Sequence, residues 1–322
     1  MEMIVSNIQQ NRFHSGNVYS NYPAGKVTCR NAFELKPDTF VKNTPAQQVN
    51  FTGVSFFEAF IRNYLKQKAY KTSIRGSQRP YVSKDKDLAP LIRDVKIAVS
   101  PKEKINAWDI NPKNSKDYVL FLHGFSQNIT NNQPLYKELA KTKFGVLAID
   151  YRGYGKNPPS ANIQEEDIAR DVAASIKYLK DSGAKNIGLI GHSFGAYIGA
   201  KVSDKIKPSF LIMVSPMNSL EFWLRNVMMH PKKYKFEMSL IKYVYNFKEQ
   251  YQKVFDITQY LKNNKTDIYI LQTGNDRYVK TAKIDEVAAI IPNLKSYTKI
   301  KGGGHRMEDN KINAIKSILD DL

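Results

Sequence analysis

Apolar and polar positions change period several times along the chain, and those changes divide it. Over residues 1–53 Asn, Gln, Ser and Pro are scattered with little periodicity, which predicts a disordered N-terminal tail. Phe57, Phe60, Ile61, Tyr64 and Leu65 then recur at i, i+3, i+4, i+7 and i+8, the spacing of one apolar helical stripe. Arg62, Lys66, Lys68 and Lys71 lie on or beside it. A basic amphipathic helix of this kind packs on its own domain or lies on an anionic membrane surface, and the pattern admits both. Residues 73–92 are charged and carry Pro80 and Pro90, so 54–92 read as a helix with a connecting segment and 93–322 as the main domain.

Inside the main domain short apolar runs alternate with longer helical periods. Residues 95–99 and 105–110 predict leading antiparallel strands, and 118–122, 146–150, 187–190, 210–214, 268–273 and 296–300 predict further strands. Helices are predicted around 133–141 and 165–180, and from near Thr281. The stretch before the strand at 268 is longer than one crossover helix needs, which predicts a lid over 219–265. Leu220, Trp223, Leu224, Val227 and Met228 keep helical spacing there, and Phe236, Leu240, Ile241, Val244 and Phe247 make a second apolar set. A Trp- and Met-rich inner face suits an acyl chain or other apolar group, so Trp223, Val227, Met228, Phe236 and Ile241 are candidate pocket residues. The plainer alternative makes them the lid's own core.

Composition narrows the classes. With 322 residues and 42% hydrophobic content the chain can bury one substantial core of roughly 200–250 residues plus extensions. Its single cysteine, Cys29, excludes an intramolecular disulfide and a Cys-based zinc site, and fits a reducing compartment. The N-terminus lacks the apolar core of a secretory signal and no run of about 18 apolar residues exists, so a cytoplasmic location is expected, peripheral to a membrane if the stripe binds one. The net charge of +19 is spread rather than blocked and attracts anionic partners in general. No helix-turn-helix, zinc-finger or RNP-like signature accompanies it, so nucleic acid is not the expected partner. Nothing in the pattern reports the oligomeric state.

The candidate chemistry centres on Gly191-His192-Ser193-Phe194-Gly195, which follows the apolar run 187–190 and precedes the helix-like stretch 196–200. Strand, sharp turn and helix in that order would lift Ser193 above the sheet, with the helix N-terminus behind it to favour an oxyanion. A serine hydroxyl is a poor nucleophile without a base and an acid to orient that base. His305 sits in a glycine-rich loop after the strand at 296–300, and Asp276 follows the strand at 268–273. Each has a plainer alternative: Ser193 as a helix N-cap, Asp276 as a turn initiator, His305 as a structural histidine.

Two further motifs stand upstream. His123-Gly124-Phe125-Ser126 follows the strand at 118–122, and Tyr151-Arg152-Gly153-Tyr154-Gly155 follows the strand at 146–150. With the Ser, Asp, His order, these motifs resemble the α/β-hydrolase superfamily from about Val95 to Leu322, and most of all its branch of serine aminopeptidase-like proteins and monoacylglycerol lipases. The resemblance implies a mostly parallel central sheet flanked by helices, with a helical lid. It implies a serine hydrolase acting on carboxylic esters or thioesters through an acyl-enzyme, with no metal or organic cofactor and a small-molecule or lipid-like acyl substrate. Ser193 would be the nucleophile, His305 the base and Asp276 its orienting acid. The backbone N–H groups of Phe125 and Phe194 would form the oxyanion hole, and His123 would be structural. A serine in place of an aspartate at the turn argues against the alkyl-enzyme chemistry of dehalogenase and epoxide-hydrolase relatives. Two departures are visible: the acid loop reads Gly274-Asn275-Asp276-Arg277, where many relatives space Gly-x-x-Asp, and Arg306 puts a cation beside the base. An aminopeptidase-like amidase would need acidic groups in the lid, yet 219–265 holds four acidic side chains against nine basic ones. A catalytically idle interaction protein is the alternative from another class.

Overall fold

Eight strands form one sheet in the order β1-β2-β4-β3-β5-β6-β7-β8. They are β1 (Ile92–Ala98), β2 (Lys104–Ile110), β3 (Asp117–Leu122), β4 (Gly145–Ile149), β5 (Asn186–His192), β6 (Phe210–Val214), β7 (Asp267–Thr273) and β8 (Leu294–Ile300). The chain is seen here as a computed structural model that describes residues 79–160, 163–218 and 256–322, together with Tyr64, Lys232, Lys235, Phe236 and Ser239. β2 runs antiparallel to both its neighbours, and every pairing from β4 to β8 is parallel. β4 and β6 are buried at every position, the signature of parallel strands covered on both faces.

The covering helices are α1 (Gln133–Leu139), α2 (Glu165–Asp181), α3 (Phe194–Ile206), the single turn α4 (Thr258–Leu261), α5 (Thr281–Ala288) and α6 (Asp309–Asp320). α2 starts with Glu165, Glu166 and Asp167 against its positive end, and the Asp167 carboxylate accepts the Gln164 N–H at 2.8 Å. Its inward stripe of Ile168, Val172, Ile176 and Leu179 is buried, which is why this polar helix stays on the sheet.

The expected strands are all present, with ends moved by a few residues. Residues 79–91, read as a connection, are fastened to the domain: the Val82 N–H donates to Thr130 Oγ1 at 3.1 Å, that of Asp85 to Gln133 Oε1 at 2.6 Å, and Leu88 is fully buried. Late in the expected lid, Ile257 and Leu261 are fully buried and Asn264 Nδ2 donates to Ser203 Oγ at 2.6 Å, so these residues belong to the packed body. The expected tail at 1–53, the stripe apart from Tyr64, and Trp223, Val227, Met228 and Ile241 lie outside the described residues. Among the described residues no helix is long and apolar enough to cross a membrane.

Candidate active site

Ser193 stands between β5 and α3 with φ 56° and ψ −112°, a backbone conformation that L-residues rarely adopt. Close packing imposes it. A Cβ on Gly195 would lie 2.0 Å from the Leu122 carbonyl oxygen, and one on Gly191 2.5 Å from Ala196 Cα, so backbone meets backbone on both sides of the turn. The Ser193 N–H donates to the Val214 carbonyl at 2.9 Å, and its carbonyl accepts from Ala196, Tyr197 and Met217. Ser193 occupies the N-cap position, yet its side chain makes no capping bond.

The hydroxyl instead lies 2.9 Å from His305 Nε2, and His305 Nδ1 lies 2.7 Å from Asp276 Oδ2. The other Asp276 oxygen accepts the N–H groups of Tyr278 and Val279, each at 2.9 Å. Burial works against charge on this carboxyl, but the His305 bond and the two amides outweigh it and hold its pKa below the usual range. Asp276 is therefore the anion, so Nδ1 carries the imidazole proton and the Nε2 lone pair faces the serine hydroxyl. Asn275 is exposed. The three candidates from separate strand ends thus lie in one hydrogen-bonded chain, and Asp276 also shapes its own turn.

Beyond β3, the Gly124 N–H is taken up by Gln127 Oε1 at 3.0 Å, and Ser126 has φ 57°. Phe125 lies between Gly124 and Ser126, in the turn that faces the start of α3. The Phe194 N–H is the first of α3 and has no acceptor within the helix. The rings of Phe125 and Phe194 stack at 4.0 Å with an angle of 12° between planes, tying loop to helix start. His123 is fully buried between Tyr151 and Tyr154; burial lowers its pKa to about 4 and keeps it neutral.

Of the lid candidates only Phe236 is described. It is 61% exposed, and its ring meets Tyr64 of the apolar stripe edge-on at 5.8 Å. Three residues at the site escaped the sequence reading: Gln127, His192 and Lys311. The His192 ring packs 5.2 Å from that of His305, and its Nε2 donates to the His305 carbonyl at 2.7 Å. Burial first, then the unfavourable electrostatics of His305 and Lys311 beside it, push its pKa down to about 3. Lys311 precedes the buried positions Ile312, Ile315 and Leu319 of α6, so a lysine beside an apolar stripe was its available signal. Among the described residues no three His, Cys, Asp or Glu converge as metal ligands would.

The chain is similar in sequence and in fold to several known proteins. Residues 113–240 match the profile of the family described as serine aminopeptidase, S33. A protein named as an esterase/lipase from Mycoplasma pneumoniae is 26% identical over 113 residues, covering 34% of this chain and 42% of that one. The chain thus spans less than half the length of that relative. A carboxylesterase of Bacillus subtilis is 26% identical over 180 residues, covering 51% of this chain and 73% of the other. In three dimensions an esterase of Pyrococcus furiosus superposes with a TM-score of 0.62 at 23% identity, over 76% of this chain and 96% of its own. The chain is an α/β-hydrolase by fold, and its resemblance to the serine aminopeptidase branch is carried by the sequence match at 113–240.

Proposed function

We propose that the protein is a serine hydrolase that cleaves carboxylic esters or thioesters through a covalent acyl-enzyme. The observation that carries this reading is the unbroken relay from Ser193 Oγ to His305 Nε2 at 2.9 Å and from Nδ1 to Asp276 at 2.7 Å. In the first half-reaction Ser193 Oγ attacks the carbonyl carbon while its proton passes to Nε2, and the imidazolium is held by the Asp276 carboxylate. The oxygen that becomes negative is held by the amides of Phe125 and Phe194, each such donor worth roughly 3 kcal/mol in the transition state. Nε2 returns the proton to the departing alcohol or thiol. Water then repeats the sequence on the ester of Ser193 and releases the acid.

The acyl group is proposed to be apolar, seated by Trp223, Val227, Met228, Phe236 and Ile241 under a lid formed by the part of 219–265 that precedes the packed residues Ile257, Leu261 and Asn264. Esters with a common leaving group and acyl chains from acetyl to decanoyl test both parts of the reading. Turnover that rises with chain length and vanishes in a folded Ser193→Ala variant is expected. A Ser193→Ala protein with wild-type turnover would refute the nucleophile, and a series that falls steadily from acetyl would refute the apolar pocket.

A further inference from the structure

The loop that carries His305 contains little that would hold it still. Gly302, Gly303 and Gly304 precede the histidine, and the first two have φ 71° and 72°, so side-chain packing contributes little to its shape. Its main chain is nevertheless fastened at three successive carbonyls. Gly304 O accepts from Lys311 Nζ at 2.7 Å and from Thr273 Oγ1 at 2.9 Å, His305 O from His192 Nε2 at 2.7 Å, and Arg306 O from Lys311 Nζ at 2.9 Å. The third bond of the Lys311 ammonium goes to Ser215 Oγ at 2.9 Å, at the end of β6, where the backbone is held at φ 45°.

Lys311 has no solvent exposure, and among the described residues no carboxylate lies within ion-pair distance of it. Asp276 and Glu308 act on it only through space. A buried ammonium without a direct counter-ion is expensive, and an apolar side chain would complete the inner stripe of Ile312, Ile315 and Leu319 at lower free-energy cost. Stability therefore does not account for a lysine here. Its donor geometry does: three N–H groups meet three oxygens, two of them the carbonyls on either side of the histidine.

We propose that Lys311 is a positioning residue for His305, a buried clamp that fixes the main chain on both sides of the imidazole and so keeps Nε2 on Ser193 and Nδ1 on Asp276. The proposal rests on the hydrolase reading above. It makes α6 a working part of the site, with His192 securing the carbonyl that Lys311 does not reach. Loosening the clamp lets the imidazole wander while the ester-binding surfaces stay intact, so the loss falls on kcat rather than on KM.

The test is Lys311→Met in the full chain, with p-nitrophenyl butyrate turnover, the rate of phosphonate labelling at Ser193, and thermal unfolding. The expected result is a folded protein with KM within about threefold of wild type, kcat lower by about 100-fold and labelling slowed in parallel, the scale of loss that follows a misplacement of about 1 Å. Lys311→Cys in a Cys29→Ser background, alkylated with 2-bromoethylamine to restore an ammonium, should recover most of the lost kcat. A merely structural lysine would show neither the kcat–KM split nor the rescue. A folded Lys311→Met protein with unchanged kcat overturns the proposal, as does an equal loss that the alkylation leaves unrepaired. Lys311→Gln is the second variant, and failure of both variants to fold would assign the lysine to stability alone and overturn it too. Failure of the hydrolase reading looks different: the wild-type chain then takes no phosphonate on Ser193, and the clamp proposal falls with it.

Discussion

Asp276→Asn separates orientation of the imidazole from everything else at the site, because the side chain keeps its shape. The amides of Tyr278 and Val279 hold one oxygen from 2.9 Å each, so in the variant they retain the side-chain carbonyl there. The new NH₂ group then occupies the place of the oxygen that lies 2.7 Å from His305 Nδ1. Two donors cannot face each other, so the imidazole moves its proton to Nε2, where no lone pair is left to accept from Ser193. The expected loss is about 10³ to 10⁴ in kcat, equivalent to roughly 4–5.5 kcal/mol of transition-state stabilisation. The assay is steady-state ester hydrolysis beside thermal unfolding, with Asn275→Ala as the control. Asn275 is exposed, so its removal should leave turnover nearly unchanged. A folded Asp276→Asn protein with kcat within about tenfold of wild type would refute the orienting role, as would a larger loss in Asn275→Ala.

Gly195→Ala should destabilise by at least the upper end of the ~1–3 kcal/mol typical of overpacking, because its Cβ would sit 2.0 Å from the Leu122 carbonyl oxygen and only backbone can yield; the urea midpoint measures this. Ser193→Gly should unfold at a higher temperature than Ser193→Ala, since only glycine relieves the φ of 56°, a strain of about 1–3 kcal/mol; equal melting temperatures would mean no strain is stored there. Lys311 links stability to pH. Burial lowers its pKa to about 8 in the folded chain, whereas the unfolded chain keeps the proton to about pH 10.4. Between those values the unfolded state binds more protons, so wild-type stability relative to Lys311→Met should rise with pH through that window, by up to ~3 kcal/mol, and be flat below pH 8. Chemical denaturation of both proteins from pH 7 to 10.5 gives the difference directly.

The strands were legible because they are short and apolar: β6 coincides with the expected 210–214, and β7 begins one residue before the expected 268. The serine turn was legible because its chemistry lies in one contiguous motif, and its glycines are there to let backbones touch. What escaped is held together by contacts distant in sequence. Residues 79–91 look like a polar connection, yet the amides of Val82 and Asp85 are bonded to side chains 48 residues away. Lys311 looks like a surface lysine of an amphipathic helix, because a lysine's spacing does not reveal that its head meets carbonyls instead of water. His192 reads as one variable letter of the serine motif, and its bond to the His305 carbonyl spans 113 residues.

The measurement that tests the central claim most directly is covalent labelling of the intact chain with a fluorophosphonate, followed by proteolysis and mass spectrometry of the adduct. One equivalent on the peptide containing Ser193, absent from a folded Ser193→Ala protein and slowed in Asp276→Asn, is the expected result. A chain that hydrolyses esters while taking no label, or takes it on another residue, would contradict the account.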